Sequence, residues 1–233
     1  MPVCPFDFVN DGKKHTICLV GGGGKTTVMY ELVAMWAACG RKVLVLTSTH
    51  ILRPVDGSFA ADAAAVQDLW QQGRYAVVGI PELSTGKLTA PTQDLYEALK
   101  LQADVILCEA DGSRHHPCKV PAEYEPVLLP DSDMVLAVAG MDALGNSLQQ
   151  VCQRPQLAAE LLGCSEEKII DAQMLASLLL SEQGARKNVG VRAYYIVLNK
   201  CDLLKAAQQE EMLRLLVGAG MDEHRIWLRE RGE

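Results

Sequence analysis

Seven consecutive residues, Gly21-Gly22-Gly23-Gly24-Lys25-Thr26-Thr27, combine what a bound triphosphate needs. Glycine lets a backbone approach phosphate oxygens and adopt dihedrals closed to other residues. Lys25 is placed to reach the β- and γ-phosphates, and the Thr26 hydroxyl to ligate Mg²⁺. Before the loop, Thr16-Ile17-Cys18-Leu19-Val20 reads as a strand. After it, Val28 to Cys39 has helical spacing, with Val28, Leu32, Met35 and Trp36 on one side. The glycines therefore fall where a strand gives way to a helix N-terminus, whose unpaired amides and dipole favour an anion. The amides of Gly22 to Lys25 are expected to cradle the phosphates.

The usual phosphate loop has a glycine where this chain has Leu19. The shortened loop is closer to the Gly-x-x-Gly-Lys-Thr-Thr form of ATP-dependent amino-acid ligases of cell-wall synthesis. Three further polar clusters follow apolar runs, the positions at which open α/β sheets bind ligands. Glu109-Ala110-Asp111-Gly112-Ser113-Arg114 supplies an acidic group to hold Mg²⁺ or orient a nucleophile, with Glu109 and Asp111 on one side if the strand continues. Either carboxylate suits the metal, and Arg114 would offset charge on the transferred phosphoryl group. Asn199-Lys200-Cys201-Asp202 resembles the guanine-reading motif of G proteins, in which the aspartate accepts from guanine N1–H and the exocyclic amine. The other reading is an asparagine–aspartate turn with Asp202 capping a helix from Leu203. In Thr47-Ser48-Thr49-His50, Thr47 and Thr49 suit contact with Mg²⁺ or the γ-phosphate; His50 is read as structural. His115-His116 is not a metal pattern, since adjacent residues on a strand face opposite ways.

The elements that must hold these groups alternate. Further apolar runs at Lys42 to Thr47, Tyr75 to Ile80, Asp104 to Cys108, Val135 to Ala139, Tyr194 to Leu198 and Ile226 to Leu228 read as strands. Helices are expected over Ala60–Gln72, Ala90–Gln102, Pro155–Leu162, Ser165–Ser181 and Leu203–Val217. The alternation predicts an α/β fold with a mainly parallel sheet covered by helices, P-loop NTPase-like, as one domain over residues 1–233. A long proline-rich connection runs from Pro117 to Pro130. The net charge of −7 argues against a nucleic-acid surface. No run is long enough to span a membrane, and Met1 to Asp7 lacks the basic and apolar regions of a secretory signal. The eight cysteines are scattered without a Cys-x-x-Cys pair, which fits a reducing cytosol. Cys18, Cys39 and Cys108 read as small core residues and Cys118 as a loop spectator.

In order along the chain, Val20 to Thr27, Thr47-Ser48-Thr49-His50-Ile51, Glu109 to Arg114, Lys119-Val120-Pro121-Ala122-Glu123-Tyr124-Glu125-Pro126, Gly140-Met141-Asp142-Ala143-Leu144-Gly145 and Leu198 to Asp202 resemble the YqeC family. Its members are regarded as accessory proteins for selenium-dependent molybdenum hydroxylases. The chain departs from the family at Ser48 (usually Thr), at Tyr124 (usually His) and at Val151-Cys152-Gln153-Arg154-Pro155, where a Val-His-Arg-Pro stretch is usual. The resemblance implies a role in making or inserting a labile selenium centre, with a molybdenum hydroxylase or another maturation protein as partner. Lys119, Glu123, Glu125 and Asp142 are candidates for holding a second substrate or a partner. Three functions are expected to compete: a Mg²⁺-dependent GTPase or ATPase acting as accessory factor, a small-molecule kinase or ligase-like adenylyl transferase, and a non-hydrolysing nucleotide-binding module. In the first, Lys25, Glu109, Asp111 and Arg114 act on the phosphates, Thr26, Thr49 and a carboxylate face the metal, and Asn199, Lys200 and Asp202 read the base.

Overall fold

Each long apolar run forms a strand buried on both faces, as expected where helices cover both sides of a parallel sheet. The computed structural model describes residue 4 and residues 6–231. Met1 to Val3 and Pro5, on which the reading of the N-terminus partly rests, lie outside the described residues. The main sheet contains β1 (His15–Gly21), β2 (Val43–Thr47), β3 (Phe59–Ala60), β4 (Ala76–Val78), β5 (Val105–Glu109), β6 (Met134–Gly140), β7 (Ala193–Asn199) and β8 (Ile226–Arg229). Their spatial order is β8-β7-β6-β1-β5-β2-β4-β3, and every pairing is parallel. β1 lies between β5 and β6. After β1 the chain lays β2, β3 and β4 on one side, returns to place β5 beside β1, and then crosses over to build β6, β7 and β8 outward on the other, so the crevice beyond the carboxyl end of β1 is a topological switch point. This is the expected P-loop NTPase-like α/β arrangement.

The two faces are covered unequally. Ile17, Leu19, Val43, Val45, Leu107 and Val138 point to the face covered by α1 (Lys25–Ala38), through Val28, Met29, Leu32, Val33 and Trp36, and by Phe6 and Phe8. Trp36 donates its indole N–H to Val9 O at 2.9 Å, which satisfies its one buried polar atom. Cys18, Val20, Leu44, Leu46, Ile106 and Cys108 point to the opposite face. Packed there are α2 (Ala63–Gln71), α3 (Gln93–Lys100), α4 (Leu148–Val151), α5 (Pro155–Leu162), α6 (Ala172–Leu180) and α7 (Ala206–Gly218).

Several local expectations shift. The helix expected from Ala60 begins at Ala63, because Asp62 caps it by accepting from Ala65 N while Phe59–Ala60 pairs with β4. Ser165 to Asp171 is not helical; α6 starts after Asp171, whose side chain accepts from Met174 N. Helix α7 starts at Ala206 after a 3₁₀ turn over Cys201–Leu203, so Asp202 caps no helix at Leu203. A three-stranded antiparallel sheet of Ile51–Leu52, Ile80–Glu82 and Lys87–Thr89 was not expected from the sequence. Cys39 ends α1 and is exposed, contrary to the expectation of a core residue, whereas Cys18 and Cys108 are buried register partners on β1 and β5. No helix among the described residues is long and apolar enough to cross a membrane.

Candidate nucleotide site

The glycine loop leaves β1 at the switch point, and its shape is set by close backbone approaches. Gly23 has φ +71° and Gly24 φ +111°, both left-handed, and a Cβ at Gly23 would lie 2.0 Å from Gly140 N. Only glycine fits there. The amides of Gly21, Gly22 and Gly23 are engaged inside the protein, donating to Asp111 Oδ2 at 3.0 Å, Val138 O at 2.8 Å and His116 O at 2.9 Å. That corrects the expectation that Gly22 and Gly23 amides face phosphate. The amides of Lys25, Thr26 and Thr27, in the first turn of α1, have no intrahelical acceptor by helix geometry, so the anion-seeking end of the site is shifted toward the helix.

The two carboxylates at the end of β5 divide. Glu109 lies beside both β1 and β2 in register with Leu19 and Thr47. Its Oε2 accepts from the exposed Thr26 hydroxyl at 2.8 Å. Burial pushes the Glu109 carboxyl above its ordinary value, and the nearby Asp111 adds to this against the opposing pull of Lys25 and the Thr26 hydrogen bond. Asp111, past the strand end, has different hydrogen-bond and ion-pair partners. Its carboxylate lies 3.2 Å from Lys25 Nζ and 3.1 Å from Lys119 Nζ, and all three side chains are almost fully buried. β5 ends at Glu109, so the strand continuation on which a shared side for the two carboxylates depended is not present.

Thr47 donates its hydroxyl to Glu109 O at 2.8 Å and accepts from Thr49 N at 2.9 Å, which brings Thr49 next to the Glu109 strand end. His50 is exposed. Arg114 and His115 are exposed too, in consecutive left-handed conformations at φ +48° and +66°. The segment they begin packs on the glycine loop through the carbonyls of His116 and Pro117, the latter accepting from Gly140 N at 2.8 Å.

Asn199 ends β7, and its amide donates to Gly23 O at 2.6 Å. Its Oδ1 accepts from Lys200 N at 2.9 Å and from Arg229 Nη1 at 2.6 Å. It braces the glycine loop from the side opposite Glu109. Lys200 Nζ pairs with Asp142 at 2.6 Å. Asp202, partly exposed, accepts from Arg231 N at 2.9 Å and Arg231 Nε at 2.6 Å, and these contacts hold its carboxyl below the ordinary value. The four-residue motif is thus divided between loop support at Asn199 and two ion pairs.

In the Pro117 to Pro130 connection, Lys119 and Glu125, two of the candidates for holding a second substrate or a partner, turn inward and are buried, whereas Glu123 and Tyr124 are exposed. Cys118 is buried in a two-residue strand beside Cys152, and contact with Cys152 together with burial pushes its thiol well up, as befits a spectator. Sequence reasoning missed Arg229, which joins Asn199 to Glu31. Its signal lay in its position at the end of the last strand, where β8 pairs in register with Asn199.

A family model described as YqeC protein matches residues 17–156, from β1 through the glycine loop and Glu109–Arg114 to the first residues of α5. The chain is 32% identical over 228 residues to the uncharacterised protein YqeC of Escherichia coli (strain K12), an alignment covering 91% of this chain and 86% of that protein. It is 23% identical over 209 residues to the signal recognition particle receptor FtsY of Rickettsia conorii, covering 87% of this chain and 65% of the receptor. Similarity to FtsY of Rickettsia felis is at the same 23% over 219 residues. The chain belongs to the YqeC family.

Proposed function

We propose that the protein binds and hydrolyses a Mg²⁺-bound nucleoside triphosphate at the mouth of the glycine loop. The observation that carries this is the Thr26–Glu109 hydrogen bond of 2.8 Å beside the first-turn amides of α1 and Lys25. A hydroxyl and a carboxylate are hard oxygen donors of the kind Mg²⁺ takes, usually one or two from protein with the rest from phosphate and water. Thr26 and Glu109 would hold the ion, which supplies neutralisation of phosphate charge when bound. Asp111 serves as the partner of Lys25 rather than as a metal ligand. The first-turn amides and the Lys25 ammonium stabilise charge on the phosphate oxygens, and exposed Arg114 lies on the segment that covers the loop. Lys25→Ala is expected to abolish triphosphate binding in a fluorescent-nucleotide titration; unchanged binding and turnover would sink the assignment.

For the base, we favour guanine read by Asp202, which requires release of its contacts to Arg231. Titration with GDP and ADP analogues tests this: a guanine preference lost in Asp202→Asn supports it, and equal binding removes it. Family membership supports an accessory role in selenium and molybdenum cofactor maturation. Its test is restoration of a selenium-dependent molybdenum hydroxylase in cells lacking this chain, by the unaltered protein and not by Lys25→Ala.

A second reading, transfer to a small molecule, draws on a cavity of about 190 Å³ at the carboxyl edge of β2. Leu46, Thr47, Tyr96, Leu129 and Asp131 line it, and Thr47 is hydrogen-bonded to the Glu109 backbone. A product heavier by a phosphoryl or nucleotidyl group would favour it over hydrolysis.

A further inference from the structure

Two buried ammonium groups share the Asp111 carboxylate, and they are held differently. An ammonium has three protons to donate. Lys119 makes two hydrogen bonds, to Gly112 O at 2.6 Å and Glu125 Oε2 at 2.8 Å, and forms an ion pair with Asp111 Oδ2 at 3.1 Å. Lys25 has one well-formed hydrogen bond, to Gly21 O at 2.6 Å. It too meets Asp111 only as an ion pair, at 3.2 Å from Oδ1, and that oxygen has no hydrogen-bond partner. Of the two lysines, Lys25 is the one free to turn toward phosphate.

Its departure has an electrostatic consequence, since a buried carboxylate stripped of its cation is strongly destabilising. Beyond Lys119 the charges continue: Glu125 pairs with Arg154 at 2.8 Å. Burial alone would raise Glu125, yet the hydrogen bond and charge of Lys119, joined by the Ala122 N–H and the charge of Arg154, hold the carboxyl below its ordinary value. The chain Asp111–Lys119–Glu125–Arg154 therefore alternates negative and positive and is neutral without Lys25.

Resting on the nucleotide reading above, we infer that Lys119 is a positioning residue for triphosphate binding. It keeps Asp111 compensated when Lys25 transfers to the β- and γ-phosphates, and so sets how easily Lys25 is released. Asp111 meanwhile stays in place to accept from Gly21 N at 3.0 Å and hold the start of the loop. Lys119 itself, tied to Gly112 O and Glu125 and almost fully buried, does not touch the nucleotide.

The test is a binding cycle with a fluorescent Mg²⁺–triphosphate analogue on the unaltered protein, Lys119→Met, Asp111→Asn and the double variant, each checked by thermal melting. Lys119→Met is expected to weaken affinity by about tenfold or more, because Asp111 then retains Lys25 as its sole cation. In the Asp111→Asn background the same substitution is expected to change affinity by less than about threefold, because no carboxylate remains to be compensated. An equal loss in both backgrounds would mean that Lys119 supports the loop or touches phosphate, and would overturn the inference. Should Lys119→Met not fold, Asp111→Asn against the double variant decides alone: matching affinities support the inference, and a further tenfold loss overturns it. Failure of the unaltered protein to bind any triphosphate would instead overturn the nucleotide reading, before any variant is compared.

Discussion

Replacing Asn199 with alanine separates loop support from base recognition. Asn199 is 2% exposed and makes three hydrogen bonds: to Gly23 O at 2.6 Å, from Lys200 N at 2.9 Å and from Arg229 Nη1 at 2.6 Å. Truncation leaves the Gly23 carbonyl and the Lys200 amide without these partners; Arg229 keeps its ion pair to Glu31. At roughly 1 kcal/mol for each of the three contacts, the variant should be less stable by about 3 kcal/mol. For a chain of this size that lowers the melting temperature by about 6–12 °C. Because the lost contact fixes Gly23, one residue before the helix N-cap, affinity for guanine and adenine analogues should fall by the same factor. The assay is a thermal melt alongside titrations with GDP and ADP analogues, repeated with Asn199→Asp, which keeps the Oδ1 acceptor but sets a carboxylate oxygen against Gly23 O. A guanine-selective loss with an unchanged melting temperature would refute the loop-support reasoning.

Gly23→Ala is expected to destabilise the fold by several kcal/mol, on the order of 3, because its Cβ would meet Gly140 N at 2.0 Å in a left-handed backbone; a melting curve matching the unaltered protein would contradict the loop geometry. Glu109, with its carboxyl raised by burial, should bind Mg²⁺–nucleotide more weakly as pH falls, with a midpoint above the ordinary carboxylate value of 4.5. A group raised in this way favours the fold when protonated and opposes it once pH rises through its folded value. Glu109→Gln should therefore stabilise the nucleotide-free protein at neutral pH while removing Mg²⁺-dependent binding, as melting and titration across pH would reveal. Among the cysteines, exposed Cys39 should react fastest with a thiol reagent and buried Cys118 only on unfolding; rapid labelling of Cys118 by mass spectrometry would contradict its burial.

What the amino-acid order alone determined is what depends on neighbours in sequence. The strand–glycine–helix junction at Gly21–Thr27, the buried apolar runs and the carboxylate at the end of Val105–Glu109 follow from periodicity and local conformational preference, and they suffice for the sheet and the candidate phosphate site. The short antiparallel strands around Leu52 and Leu88 were not legible, since two- and three-residue segments carry almost no periodic signal and exist only through their pairing. The division of labour at the site was also hidden. Whether Asp111 or Glu109 meets the Thr26 hydroxyl depends on where β5 ends. Whether Asn199 reads a base or braces a loop depends on Gly23, 176 positions away, coming within 2.6 Å. Tertiary structure decided these because a buried charge must find its partners wherever the fold delivers them. Lys25, Asp111, Lys119, Glu125 and Arg154 come from four separate segments, and only their convergence makes each burial tolerable.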